Sequence, residues 1–208
     1  MFTAEGPEGL RRIAKLVSSI FLDLKFCDIP NTVAGAVQSA AKLPGVRMMT
    51  LHTTGGLAML RAAKAALKGV RKPPMLLGVT VLTSLDEAEL IRIGLTGPVD
   101  GRVAALGALA KVAGLDGIVA PANQIQSLRK ELGPKMAIIV PGIRPTSINH
   151  NPVRQVQDDQ AQVGTPGNAV RWGADYLVVG RPITAAADPI SAMDAILQDM
   201  KVASKYSR

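Results

Sequence analysis

The sequence predicts an α/β fold on a parallel sheet, of the (β/α) barrel kind rather than the open doubly wound kind. Short apolar runs rich in β-branched residues alternate with longer amphipathic segments, and each run closes on polar or Gly/Pro residues. Polar residues gather just past the strand ends, at Asp28, His52-Thr53, Thr83-Ser84, Arg144 and Arg181, where barrel enzymes build their sites. No Gly-x-Gly-x-x-Gly follows a first strand, so a dinucleotide fold lacks its fingerprint.

In chain order, an amphipathic segment at 8–19 precedes the first apolar run, a strand at 21–26. A helix at 33–41 leads to a strand at 48–53, and a helix at 56–67 to a strand at 76–82. Amphipathic segments at 86–93 and 102–112 precede a strand at 117–121, a helix at 122–131 and a strand at 136–141. A helix at 166–172, a strand at 176–179 and a helix at 189–201 complete the pattern. Apolar strands of this kind imply a sheet covered on both faces. A closed barrel needs eight strands. The pattern gives about six βα units and opens in a loop and a helix, so the first two strands are expected to be missing.

Composition narrows the class. A chain of 208 residues with 48% hydrophobic and 19% charged content fits a single globular domain over residues 1–208. The single cysteine, Cys27, cannot close an internal disulfide and leaves no Cys/His cluster for a metal. That fits a reducing compartment, and with no leader-like N-terminus or long apolar run the expectation is a cytoplasmic protein with no membrane partner. The formal charge of +8 comes from scattered short clusters without aromatic interleaving, which argues against nucleic acid as a partner.

The run from Phe21 to Thr32 carries Asp23, Lys25 and Asp28 directly after apolar residues. On a regular strand Asp23 and Lys25 share one face, while Leu22, Leu24 and Phe26 take the other. In a low-dielectric site such a pair holds itself ionised and can act on a substrate; otherwise it is a surface ion pair. Past the last two strands stand Pro141-Gly142-Ile143-Arg144-Pro145 and Gly180-Arg181-Pro182-Ile183-Thr184. Glycine lets backbone N–H groups approach an anion, and Arg offers a planar fork to phosphate oxygens. Between them, residues 147–167 form a long polar connection of the length that lids take, with Asp158-Asp159-Gln160 able to supply an amide.

These motifs, together with His52-Thr53-Thr54-Gly55-Gly56 and Val79-Thr80-Val81-Leu82-Thr83-Ser84, resemble the orotidine 5′-phosphate decarboxylase family of the compact bacterial type over nearly the whole chain. The resemblance implies a (β/α)₈ TIM barrel that acts as a lyase in pyrimidine biosynthesis. It would convert orotidine 5′-monophosphate (OMP) to uridine 5′-monophosphate (UMP) and carbon dioxide without a cofactor or metal. It also implies a homodimer with shared sites. Carried over by motif, Lys25 would protonate C6, Asp23 would face the departing carboxylate, and Asp28 would hold Lys25 charged from the partner subunit. Ile29, Pro30, Asn31 and Thr32 would complete that shared segment, Thr83 would contact the base, and Arg144, Gln160, Gly180 and Arg181 would grip the phosphate.

The sequence departs from the family pattern at Cys27, where His is usual, at Ala161, where a basic residue is usual, and in a longer loop around 149–156. The family's first Lys and ribose-binding Asp belong to the strands expected to be missing. Two alternatives follow: a non-catalytic phosphate-ligand-binding form, and a sister sugar-phosphate decarboxylase, which would need a metal.

Overall fold

The computed structural model describes residues 2–145 and 164–205. Among them six strands follow one another in one sheet in chain order: β1 (Ile20–Phe26), β2 (Val46–His52), β3 (Met75–Val79), β4 (Gly117–Val119), β5 (Ala137–Val140) and β6 (Tyr176–Leu177). The helices are α1 (Phe2–Ile13), α2 (Pro30–Ala41), α3 (Gly56–Ala65), α4 (Glu87–Arg92), α5 (Val99–Val112), α6 (Ile125–Leu132), α7 (Pro166–Trp172), α8 (Arg181–Thr184) and α9 (Pro189–Ser204). This is the predicted α/β grammar. The chain divides into two compact units, Met1–Val79 with Leu106–Gly117, and Thr80–Ala105 with Ile118–Arg208.

In the first unit β1, β2 and β3 pair in parallel. Leu22, Met49, Leu51, Leu76 and Leu77 are buried from the sheet, and Val33, Val37, Met59 and Leu60 from α2 and α3. Each such side chain contributes roughly 1.5–3 kcal/mol by leaving water. Gly78 is fixed by packing: a Cβ there would lie 2.6 Å from Thr53 Cγ2 and 3.1 Å from Ala110 Cβ. Thr53, buried in a tight turn after β2, donates its hydroxyl to the Val79 carbonyl at 2.7 Å.

In the second unit β5 and β6 are parallel, and the Ala120 N–H donates to Ile139 O at 3.0 Å, which ties the end of β4 to β5. The core is built by Ile118, Ile125, Leu128, Ile138, Ile139, Val140 and Ala169. Helix α7 docks on α9 through the Gly167 N–H, which donates to Asp199 Oδ2 at 2.9 Å. A Cβ at 167 would sit 2.6 Å from Asp199 Oδ1. Asp188 caps α9, accepting from the Ser191 hydroxyl and from the N–H groups of Ser191 and Ile190; these bonds, the Ser191 hydroxyl first, hold its carboxyl below the usual range.

The sequence expectations need three corrections. The strands in the runs 76–82, 117–121, 136–141 and 176–179 end early, at Val79, Val119, Val140 and Leu177, because apolar composition continues past the end of each strand; Val81 stays buried outside any strand. The segment expected at 8–19 is helical from Phe2 and ends at Ile13, with a kink at Gly6 (φ 59°) before Pro7; Arg12 pairs with Glu5 and Arg11 with Glu8. Helix α8 follows β6 where a loop was expected.

Candidate active site

β1 carries a pronounced irregularity. Leu22 pairs with Met49 and Phe26 with Leu51, so Asp23, Leu24 and Lys25 together stand opposite the single residue Thr50. Lys25 takes a φ of 48°, in the left-handed region that a lysine rarely enters. Its Nζ donates to Asp23 Oδ2 at 2.5 Å. The Thr50 hydroxyl donates to Asp23 Oδ1 at 2.7 Å and accepts the Lys25 N–H at 2.9 Å. The predicted pair is therefore present, but a bulge assembles it rather than a regular pleat. The expected alternation stops at Leu22, which is buried, and Leu24 and Phe26 are both half-buried.

The Lys25 and Asp23 side chains are 38% and 46% exposed, too open for the ion pair to be a major source of stability. His52, at the end of β2, is held below its ordinary pKa by burial first and by the Lys25 ammonium second, with Asp23 acting in the opposite sense. Burial and the ammonium thus favour the neutral form of the imidazole.

Asp28 lies beyond β1, exposed, and its Oδ1 accepts the Ile29 N–H at 2.6 Å. Among the described residues no bond joins it to Lys25. Ile29 is 67% exposed, and Pro30, Asn31 and Thr32 form the exposed first turn of α2. A separate cavity of about 390 Å³, lined by Arg61, Lys64, Lys68 and Pro73 among others, opens at the N-terminal end of β3, away from this cluster.

In the second unit Thr83 is half-buried in the turn after β3. Arg144 stands on a short extension past β5, where Ile143 bridges Gly164 and the Arg144 N–H donates to Gly164 O at 2.9 Å. Gly142 has a φ of 72°, and a Cβ at Gly164 would come within 2.5 Å of Ala122 Cβ, so both glycines are demanded locally. Gly180 precedes Arg181, the first residue of α8; a Cβ at 180 would meet no protein atom within 4 Å. Gln160 and the 149–156 loop lie outside the described residues.

The family model described as "Orotidine 5'-phosphate decarboxylase / HUMPS family" matches residues 1–196. The chain belongs to this family. An orotidine 5′-phosphate decarboxylase of Dichelobacter nodosus is 47% identical over 95% of this chain and 82% of its own length, and one of Shewanella sediminis is 47% identical over 97% and 83%. The crystal structure of the Lactobacillus acidophilus orotidine 5′-phosphate decarboxylase superposes with a TM-score of 0.77 at 33% identity, covering 94% of this chain and 81% of that one. Within the family frame, Thr50 is the residue that sequence reasoning missed. It reads as one more β-branched residue in an apolar strand, and its only signal is that it is polar within Met48-Met49-Thr50-Leu51.

Proposed function

We propose that the chain decarboxylates orotidine 5′-monophosphate to uridine 5′-monophosphate and carbon dioxide. The observation that carries this reading is the Lys25 ammonium held on Asp23 by a strained bulge at the C-terminal half of β1. Cleavage of the bond between C6 and its carboxylate leaves the electron pair on C6 as carbon dioxide departs. The Lys25 Nζ proton passes to C6, and Asp23, beside the carboxylate, favours its loss. A preorganised cation at the position where negative charge develops acts most strongly when water is excluded, which a bound nucleotide would do for this half-open pair.

On this proposal Thr83 contacts the base, and Arg144, Gly180, Arg181 and Gln160 hold the phosphate, whose binding energy orients the ring. The open space over Gly180 suits close approach of an anion. The exposed Asp28 to Thr32 corner, with its bare Ile29, suits a homodimer in which this segment reaches the partner's site. Residues 1–208 then act as one domain of a cytoplasmic (β/α)₈ enzyme that needs neither cofactor nor metal. No described helix is long and apolar enough to cross a membrane.

The test is OMP turnover by the folded chain beside Lys25→Ala. Turnover lost in the variant supports the proposal. UMP binding without turnover points instead to a ligand-binding protein, and turnover of a sugar phosphate that requires magnesium points to a sister decarboxylase.

A further inference from the structure

We propose that Thr50 is a positioning residue for the Asp23–Lys25 pair, an inference that rests on the function proposed above. Three residues of β1 stand opposite this one residue of β2, and its single hydroxyl is used twice. A carboxylate can only accept, so the hydroxyl hydrogen goes to Asp23 Oδ1 and an oxygen lone pair takes the Lys25 N–H. Each bond does a different task. The first fixes the rotation of the Asp23 carboxylate, which leaves Oδ2 aimed at Lys25 Nζ. The second holds the Lys25 main chain at its left-handed φ, a conformation that persists only where the surroundings over-determine it.

Thr50 is fully buried, so both bonds come from a side chain that the surrounding packing holds in place. The rest of β2 supports its placement: Met49, Thr50, Leu51 and His52 are in unbroken parallel register with Leu76 to Val79 of β3. The rigid strand thus carries the reference point, and the bulged strand carries the reactive groups. Without the hydroxyl, the bulge loses the bonds that fix where it turns, and the ammonium no longer has one defined position relative to the carboxylate.

The test compares Thr50→Val, which keeps shape and burial but removes the hydroxyl, with Thr50→Ser, which keeps the hydroxyl. Misplacing a reacting group by about an ångström costs on the order of 10²-fold in rate, so Thr50→Val is expected to lower kcat about 10²-fold, with KM for OMP changed by less than about threefold. Thr50→Ser is expected to recover most of kcat. A folded Thr50→Val chain with near wild-type kcat overturns the assignment, and so does a Thr50→Ser chain as impaired as Thr50→Val, which would make the methyl group the important part.

Lys25→Ala separates the two levels. No OMP turnover by the folded wild type removes the proposed function itself, full turnover in Lys25→Ala removes only the role of Lys25 within it, and loss in Lys25→Ala beside an unaffected Thr50→Val removes only Thr50's role. A readout independent of turnover is amide hydrogen exchange at Lys25. It is expected to be slow in the wild type and Thr50→Ser, and about tenfold or more faster in Thr50→Val at equal global stability. Unchanged protection in Thr50→Val overturns the proposal even if the chain turns nothing over.

Discussion

The carboxylate of Asp175 accepts the main-chain N–H of Ile138 at 2.7 Å. The Asp175 N–H in turn donates to Ile138 O at 3.0 Å, and its Oδ2 also takes Arg129 Nη2 at 2.5 Å. The first unit repeats the arrangement. Asp116 accepts the Leu76 N–H at 2.9 Å, donates its own N–H to Leu76 O at 3.0 Å, and binds Lys64 Nζ at 2.6 Å. In both, a Gly-x-Asp turn just before one strand satisfies the second residue of the neighbouring strand and clasps a basic residue of the helix that leads into that neighbouring strand, Lys64 of α3 or Arg129 of α6. Asp175→Ala leaves a buried N–H without its acceptor, and the expected loss is about 1–3 kcal/mol. Asp175→Asn keeps an acceptor and forfeits only a half-exposed ion pair, so it should cost less than about 1 kcal/mol. Urea unfolding of both variants checks this, and equal losses would mean that the ion pair, not the N–H bond, matters.

Gly78 occupies a strand interior where alanine would ordinarily be better tolerated. Here the added methyl meets Thr53, Ala110 and Leu115 at once. Gly78→Ala is therefore expected to destabilise by about 1–3 kcal/mol through overpacking and to loosen the Thr53 bond to Val79. Thermal unfolding decides it, and an unchanged or raised midpoint would show that the turn after β2 gives way freely.

These cases show where sequence reasoning reached and where it stopped. The positions of Arg144 and Arg181 were legible because Gly and Pro punctuate the ends of apolar runs. Strand lengths were not, since residues such as Val81 remain apolar and buried after the ladder has ended. Asp23 and Lys25 were paired correctly, but by an alternation that the bulge interrupts. A left-handed lysine and the threonine that holds it depend on register between two strands, which neither strand's own pattern encodes.

His52 supplies a pH prediction. Its folded pKa lies below the ordinary value of 6.5, so the folded chain binds fewer protons than the unfolded one. The stability linked to this group is complete above about pH 6.5 and is lost as the pH falls below that value. His52→Gln removes the linkage. Between about pH 7.5 and about pH 5 the wild type is expected to lose more stability than the variant, as measured by denaturant midpoints. Parallel pH profiles would show that burial and the Lys25 charge do not act on this imidazole in the folded chain.

Arg144 and Arg181 test the phosphate end of the proposed reaction. Charge-assisted bonds from guanidinium to phosphate contribute about 1.5–3 kcal/mol each, so Arg144→Ala or Arg181→Ala should raise KM for OMP about tenfold to a hundredfold. Orotidine, which has the base and ribose but no phosphate, gives these side chains nothing to grip, and the same substitutions should leave its slow turnover within about threefold of wild type. Steady-state kinetics on both substrates separate the roles. If orotidine and its phosphate suffer equally, the two arginines support the local fold rather than the phosphate.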